Sequence, residues 1–380
     1  MSRKKFVTYL LILLTLVMII DVRYVSSDNN LFEGLITESI KELIEMEDNF
    51  FQNNYNQDSI KAEKDGSLKL GEDFLRENER IKKFNLKNNF GSIKLRGSQD
   101  QEINIDYTLK VHAEEKDAAE EFIQNLKIIY NLNGENLEIS LNQSQTETPE
   151  LINVVEIDYI ITVPESLQTE LTNKYGELTI QDLKAEVNAS NSYGSTLINN
   201  IEKDVVLDLT FGESEISNVN SNLDLSSAYT ENNIRNIDGK FNLETAYGFN
   251  RISNLKSDFK MNSRYGGAEI ISTKNIDLNS RYTGFTISEV QGKLEVDSEY
   301  GDFKLSKVED LELKLRYSDL EISLLKDYEL YNYDISVKNG DIEADLGGLN
   351  YDNQAQLKYK GQRAEYDIKI NSEYGDINIK

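Results

Sequence analysis

The chain has 380 residues, with 67 Asp and Glu against 41 Lys and Arg, a formal net charge of −26, one His, no Cys and no Trp. The missing cysteines exclude disulfides and thiolate metal sites, and a single His excludes a His-rich zinc centre. Such acidity excludes a nucleic-acid partner, because phosphate contacts need a basic face.

Residues 1–27 read as an export segment. Arg3, Lys4 and Lys5 precede an uncharged, mainly apolar run over 6–20, the pattern of a secretory signal. Val25 and Ser27 suit the −3 and −1 places of a cleavage site after Ser27. The run is shorter than the ~20 apolar residues of a membrane span, and Asp21 and Arg23 interrupt it. A cleaved signal is therefore favoured over a retained anchor. In both cases the basic end stays inside and the rest is exported, so the membrane is touched only through this segment. No Cys follows it, which excludes a lipoprotein anchor.

Residues 28–81 read as an acidic helix and linker. Leu31, Leu35, Ile36, Ile40, Leu43 and Ile44 recur at helical spacing within 31–51. A polar linker follows through Asn53, Asn54, Gln57 and Asp58. Residues 82–170 read as a β-rich capping region with one inserted helix. Phe90-Gly91 opens an early copy of the unit described below, and 103–111 alternates as a strand. Within 113–130, Ala118, Ala119, Phe122, Ile123 and Leu126 share a helical face. Two more strands flank a loop around Pro149. Such a block would cover an open solenoid end, which is otherwise an unpaired strand edge.

From 171 to 380 an aromatic residue returns every 17 or 18 residues: Tyr175, Tyr193, Phe211, Tyr229, Tyr247, Tyr265, Tyr282, Tyr300 and Tyr317. Five places after each ring stands Ile or Leu, from Ile180 to Ile322, and eight places after it another mostly apolar residue. Six and four places before most rings stand further apolar residues, such as Phe241 and Leu243 before Tyr247. Apolar residues two apart, with polar ones between, mark strands with one buried face. A fixed period of this size marks stacked repeats. The expected fold is all-β: a single-chain parallel β-solenoid, a β-helix with about 18 residues per turn, two strands and two bends per turn. The missing hexapeptide pattern of left-handed helices points to a right-handed one.

Gly after the ring suits a backbone at positive φ. Asn200, Asn218, Asn236 and Asn254 suit the left-handed conformation at the other bend. Pro is absent after Pro164, as uninterrupted ladders require. Asn339-Gly340 and Tyr374-Gly375 begin late copies. No cap is visible after them, so the far edge is either exposed or covered by these looser turns.

The stretch Ile157-Asp158-Tyr159-Ile160-Ile161-Thr162-Val163-Pro164, running on to Tyr175-Gly176-Glu177-Leu178-Thr179-Ile180 and the repeats, resembles the bacterial "putative-adhesin" domain of unknown function, a relative of adhesin-head solenoid domains. The resemblance covers about residues 85–380. It implies a β-solenoid at the cell surface and carries no catalytic residues with it.

Two readings of the ring ladder stand open. As an exposed row it would be a stacking platform for sugar faces; as an inward row it would be part of the core. Alternation favours the inward one. The acid clusters Glu299/Asp302, Glu309/Asp310 and Asp341/Glu343/Asp345 repeat no calcium motif and read as a solvated face. His112, between a strand and a helix, reads as a surface residue. No catalytic, cofactor or metal site is expected. The expected function is non-catalytic surface adhesion or envelope binding, with glycan, cell wall or a surface protein as partner. The alternative is a membrane-tethered scaffold that self-associates end to end, and the lesser one a polysaccharide-active enzyme with a carboxylate pair.

Overall fold

The computed structural model describes residues 59–142, 151–324, 327–347 and 349–380. The helix expected over 31–51 and the export segment lie outside these residues.

The repeats form a parallel solenoid. Each rung holds two strands that meet at the aromatic residue, and each strand pairs in register with its equivalents in the rungs on either side. Val205 faces Leu223 and Leu223 faces Phe241; Ile216 faces Ile234 and Ile234 faces Ile252. The inward columns are buried without exception over the middle rungs, including Ile198, Ile216, Ile234, Ile252, Ile270 and Ile287. Phe241 stacks on Phe259 at 4.8 Å, and Phe285 on Phe303 at 5.1 Å. A single rung of this length has no second layer to bury its apolar face, and the stack supplies one.

Both ends are built by the same device: a rung remote in sequence is threaded between two others. At the N-terminal end, Lys83–Phe90 and Ile93–Ser98 pair on one side with Gln168–Tyr175 and Leu178–Leu183. On the other side they pair with Asn136–Leu141 and Ile152–Pro164. At the C-terminal end, Tyr366–Glu373 and Ile377–Ile379 sit between the rung of Leu311 to Ser323 and the rung of Tyr331–Lys338 and Ile342–Leu346.

Antiparallel strands then close each stack. Ile103–Ala113 runs against Ile152–Pro164, Ile60–Leu70 against Ile103–Ala113, and Ile128–Asn133 against Asn136–Leu141. Leu349–Gln354 runs against Ile342–Leu346, and Gln356–Lys360 against Tyr331–Lys338. The C-terminal edge is thus covered by the looser turns, as one of the two expectations had it. The helix Lys116–Gln124 buries Ala119, Phe122 and Ile123. Its last carbonyls are met by Lys64 Nζ, which donates to Ile123 O, Gln124 O and Leu126 O at 2.9–3.3 Å.

Two expectations are corrected. The helix is shorter than 113–130: Ile128–Asn133 is a strand, turned back by Gly134 at φ 63°. The linker does not run to residue 81, because Ile60–Leu70 is an edge strand and Glu72–Glu77 a short helix. The strand alternates only weakly in sequence, since Lys64 and Gly66 take inward places between Ala62 and Leu68, while Glu63, Asp65 and Lys69 are charged and exposed. That charge is what protects an edge from pairing, and it also hides the strand in the sequence.

Candidate functional site

The ring column is continuous. Phe90, Tyr175, Tyr193, Phe211, Tyr229, Tyr247, Tyr265, Tyr282, Tyr300, Tyr317 and Tyr374 stack in that order, with centroids 4.8–5.1 Å apart and planes within 19° of parallel. The sequence series lacked Phe90 and Tyr374 at its ends, although both open recognisable aromatic-Gly copies. The column jumps 85 and 57 residues to reach them because of the threaded rungs.

The inward reading is overturned. Every ring from Tyr193 to Tyr317 sits at φ 54–57°, in the left-handed region, and so does Tyr374 at 60°. That conformation breaks the two-residue alternation at the ring and swings it to the outer corner. The rings are half-buried, and Tyr317 and Tyr374 remain 42% and 43% exposed. The platform reading also fails in its original form. Each ring face within the column is covered by the next ring, so no sugar can stack there. Edges and phenol oxygens are what solvent meets. Burial, and after it the neighbouring phenols Tyr300 and Tyr374, push Tyr317 above the usual tyrosine value.

Of the glycines after the rings, Gly91, Gly176 and Gly266 take the expected positive φ, at 102°, 143° and 155°, and others answer to a different constraint. A Cβ on Gly194 would lie 2.0 Å from Gly176 O, and one on Gly248 would lie 2.2 Å from Thr230 O. The requirement is close approach between rungs. Where Thr230, Thr283 and Ser318 replace glycine, each hydroxyl donates to the carbonyl two residues back, at 3.0–3.2 Å.

Beneath the rings runs a buried polar column that the sequence reading missed. Ser214 Oγ donates to Asn232 Oδ1 at 2.7 Å, and Asn232 Nδ2 donates to Asn250 Oδ1 at 2.8 Å and to Ser227 Oγ at 3.0 Å. The signal was present: two places before most rings the inward place is polar, as at Asn173, Asn191, Ser227, Thr245, Ser263 and Ser280, and three places after Phe211, Tyr229 and Tyr247 stand Ser214, Asn232 and Asn250. At the second bend the expected Asn residues do take φ 57–60°. They form a ladder, Asn254 to Asn236 to Asn218, at 3.2 and 2.9 Å. Asn218 Nδ2 donates on to Asn199 Oδ1 at 2.8 Å, and Asn200, at the first of these bends, donates to Asp182 at 2.7 Å. That bond, with the Arg96 guanidinium, holds Asp182 below the usual carboxylate value.

On the strand side of the rings lies an open trough. Its exposed lining is Ser226, Glu244, Asn262 and Asn279, with Ala228 and Ala246 half-buried between them, and Arg264 and Arg281 border it. Arg281 lies 5.6 Å from the Tyr282 ring centre and 3.1 Å from Glu299. Glu299 also binds Arg316, so this acid is occupied. In the other acid clusters, Asp302 accepts from Asp319 N at 3.0 Å and Asp310 from Asp367 N at 2.8 Å. Among the described residues no group of three or more acidic or His side chains is placed to hold a metal.

His112 is not at the surface. It is 1% exposed, with Ser59 Oγ 2.7 Å from Nδ1 and Glu156 Oε2 3.1 Å from Nε2. Lys110 Nζ bridges Glu156 and Asp158 at 2.9 and 2.6 Å. Burial works to lower the Lys110 pKa, but its hydrogen bonds to Asp158 and Glu156 win and raise it. A His is buried there because partners satisfy both ring nitrogens. The cluster clamps the capping strands together.

No helix among the described residues is long and apolar enough to cross a membrane. No curated protein matches the chain. Among solved structures it is similar to a "putative cell adhesion protein" from Clostridium sporogenes, at 13% identity over 84% of this chain and 99% of that one, with a TM-score of 0.23. It is also similar to a "putative lipid binding protein" from Parabacteroides distasonis, at 9% identity over 84% and 96%, TM-score 0.26. A third is a "putative adhesin" from Bacteroides fragilis, at 10% over 85% and 99%, TM-score 0.25. At those scores the likenesses carry no argument about function. The family match is of another kind, because it spans residues 81–380, from the first threaded rung to the last residue. This solenoid of stacked rings and glycines belongs to the Toastrack DUF4097 family.

Proposed function

We propose that the chain is an exported, non-catalytic solenoid whose side presents a rigid surface to glycan, cell wall or another surface protein. The observation that carries this reading is the contrast between side and ends. The long side offers ring edges, most with a hydroxyl, repeating at 4.8–5.1 Å beside an open trough. The ends are closed by antiparallel strands with outward charge, such as Glu63, Asp65 and Lys69. End-to-end pairing needs an open edge without blocking charge, so the outward charge on the closing strand weighs against such a scaffold. The basic and apolar residues of 3–20 support export.

Protease treatment of intact cells, with the mass of the mature chain, tests the reading. Export predicts a chain that begins near Asp28 and is cut from intact cells. A chain that keeps residues 6–20, stays with the membrane and resists the protease would favour a tethered scaffold. Release of reducing sugars from a polysaccharide panel would overturn the non-catalytic part.

A further inference from the structure

One column of places, just before the rings from Tyr229 onward, decides the chemistry of the trough. The residue just before each ring reads Ala228, Ala246, Arg264, Arg281, Glu299, Arg316 and Glu373 in rung order. From Arg281 onward the signs alternate and the side chains pair: Arg281 with Glu299 at 3.1 Å, Arg316 with Glu299, and Lys338 with Glu373 at 2.6 Å. Arg264 breaks the alternation. It lies directly opposite Arg281 in the parallel ladder and is exposed, and no acid of the described residues reaches it as an ion pair. Like charges directly opposite each other in a sheet repel. In a chain with a net charge of −26, two adjacent guanidiniums against the one acid of the trough lining, Glu244, are a local exception to the field of the whole molecule.

Resting on the proposal that the side of the solenoid binds its partner, we propose that this trough takes a linear, carboxylate-bearing polysaccharide. Arg264 and Arg281 bind its acid groups, and the ring edges of Tyr229, Tyr247 and Tyr265 flank its sugars. The guanidinium fork matches a carboxylate in two parallel hydrogen bonds. An anion between the two arginines also removes their mutual repulsion. The exposed hydroxyl of Ser226 and the exposed amides of Asn262 and Asn279 suit a polyhydroxylated chain. A peptide strand would need a free sheet edge, whereas every strand under the trough is paired on both sides. Nucleic acid would need an extended basic face.

The test is calorimetric titration of the full exported chain with oligogalacturonate, a neutral chito-oligosaccharide of equal length, and poly-glutamate. The expected result is saturable binding of oligogalacturonate alone, weakened roughly tenfold by Arg264→Gln or Arg281→Gln, about the value of one lost charge-assisted contact. Arg235→Gln, in an ion pair with Glu215 away from the trough, leaves it unchanged. Equal binding of poly-glutamate would overturn sugar recognition, and equal binding of the neutral oligosaccharide would overturn the role of the acid groups. Oligogalacturonate binding indifferent to both trough variants would overturn this site and leave the side-binding reading standing. A wild-type chain that binds none of the three overturns the inference, while the side-binding reading is judged separately by whether cell-wall material binds.

Discussion

At the residue scale, the repeat is set by two neighbouring positions with opposite demands. The ring residue takes the left-handed conformation, which costs a side chain with a Cβ about 1–2 kcal/mol. Stacking against two neighbours returns ~0.5–1.5 kcal/mol per pair, so the column makes the corner tolerable. The next residue is glycine for space. Replacing a glycine by alanine at a conformation open to both stabilises by ~0.4–1 kcal/mol through the unfolded chain. At Gly248 the sign should reverse, because the new Cβ would lie 2.2 Å from Thr230 O. Gly248→Ala is expected to lose about 1–3 kcal/mol, the range for forcing an atom into a packed site, read from the urea midpoint. A neutral or stabilising outcome would show that the rungs can part at that corner. The sequence displayed the glycine column plainly but not its cause. Backbone conformation and rung-to-rung contact both select glycine, and only coordinates separate them.

At the element scale, the rungs were legible and the ends were not. Ile180, Ile198, Ile216 and their equivalents declare the period by repetition. The threaded rungs declare nothing, because Phe90 and Tyr374 join the column across long excursions that no fixed period reveals. The ring trough was hidden for a similar reason. Arg264 and Arg281 look like any surface arginines until the ladder places them opposite each other. Ties between rungs have a testable chemistry. Asp182 accepts from Asn200 in the next rung and from Arg96 in the threaded rung, the latter at 2.6 Å. Its pKa is depressed in the folded state, first by the Asn200 bond and, against the opposing effect of burial, by Arg96. A depressed carboxylate contributes stability above its unfolded pKa of about 3.9. That contribution is lost as pH falls through the folded value. Asp182→Asn should therefore melt below wild type at pH 7, and the two melting curves should converge as pH falls through the depressed folded value. A constant gap across pH would mean that the carboxylate charge plays no part in joining the threaded rung to the body.

At the scale of the whole molecule, two devices keep copies apart: the antiparallel end strands and the charge. The chain's net charge is −26 at pH 7, and its pI is about 4.5. Like-charged copies repel over a range set by the Debye length, about 8 Å at physiological salt. The outermost strands Ile60–Leu70 and Gln356–Lys360 still carry unpaired backbone groups on one side, as any edge does. If charge is the dominant protection, the chain should sediment as a monomer at pH 7. It should then form larger species in a concentration-dependent way near pH 4.5, where the net charge vanishes. Raising the salt at pH 7 should reproduce only part of the effect, because screening leaves the charged side chains on the edges in place and still solvated. Returning to pH 7 should dissolve the larger species. A chain that stays monomeric through pH 4.5 would assign the protection to the end strands themselves. It would also mean that the solenoid meets its partners only along its side, where the rings and the trough lie.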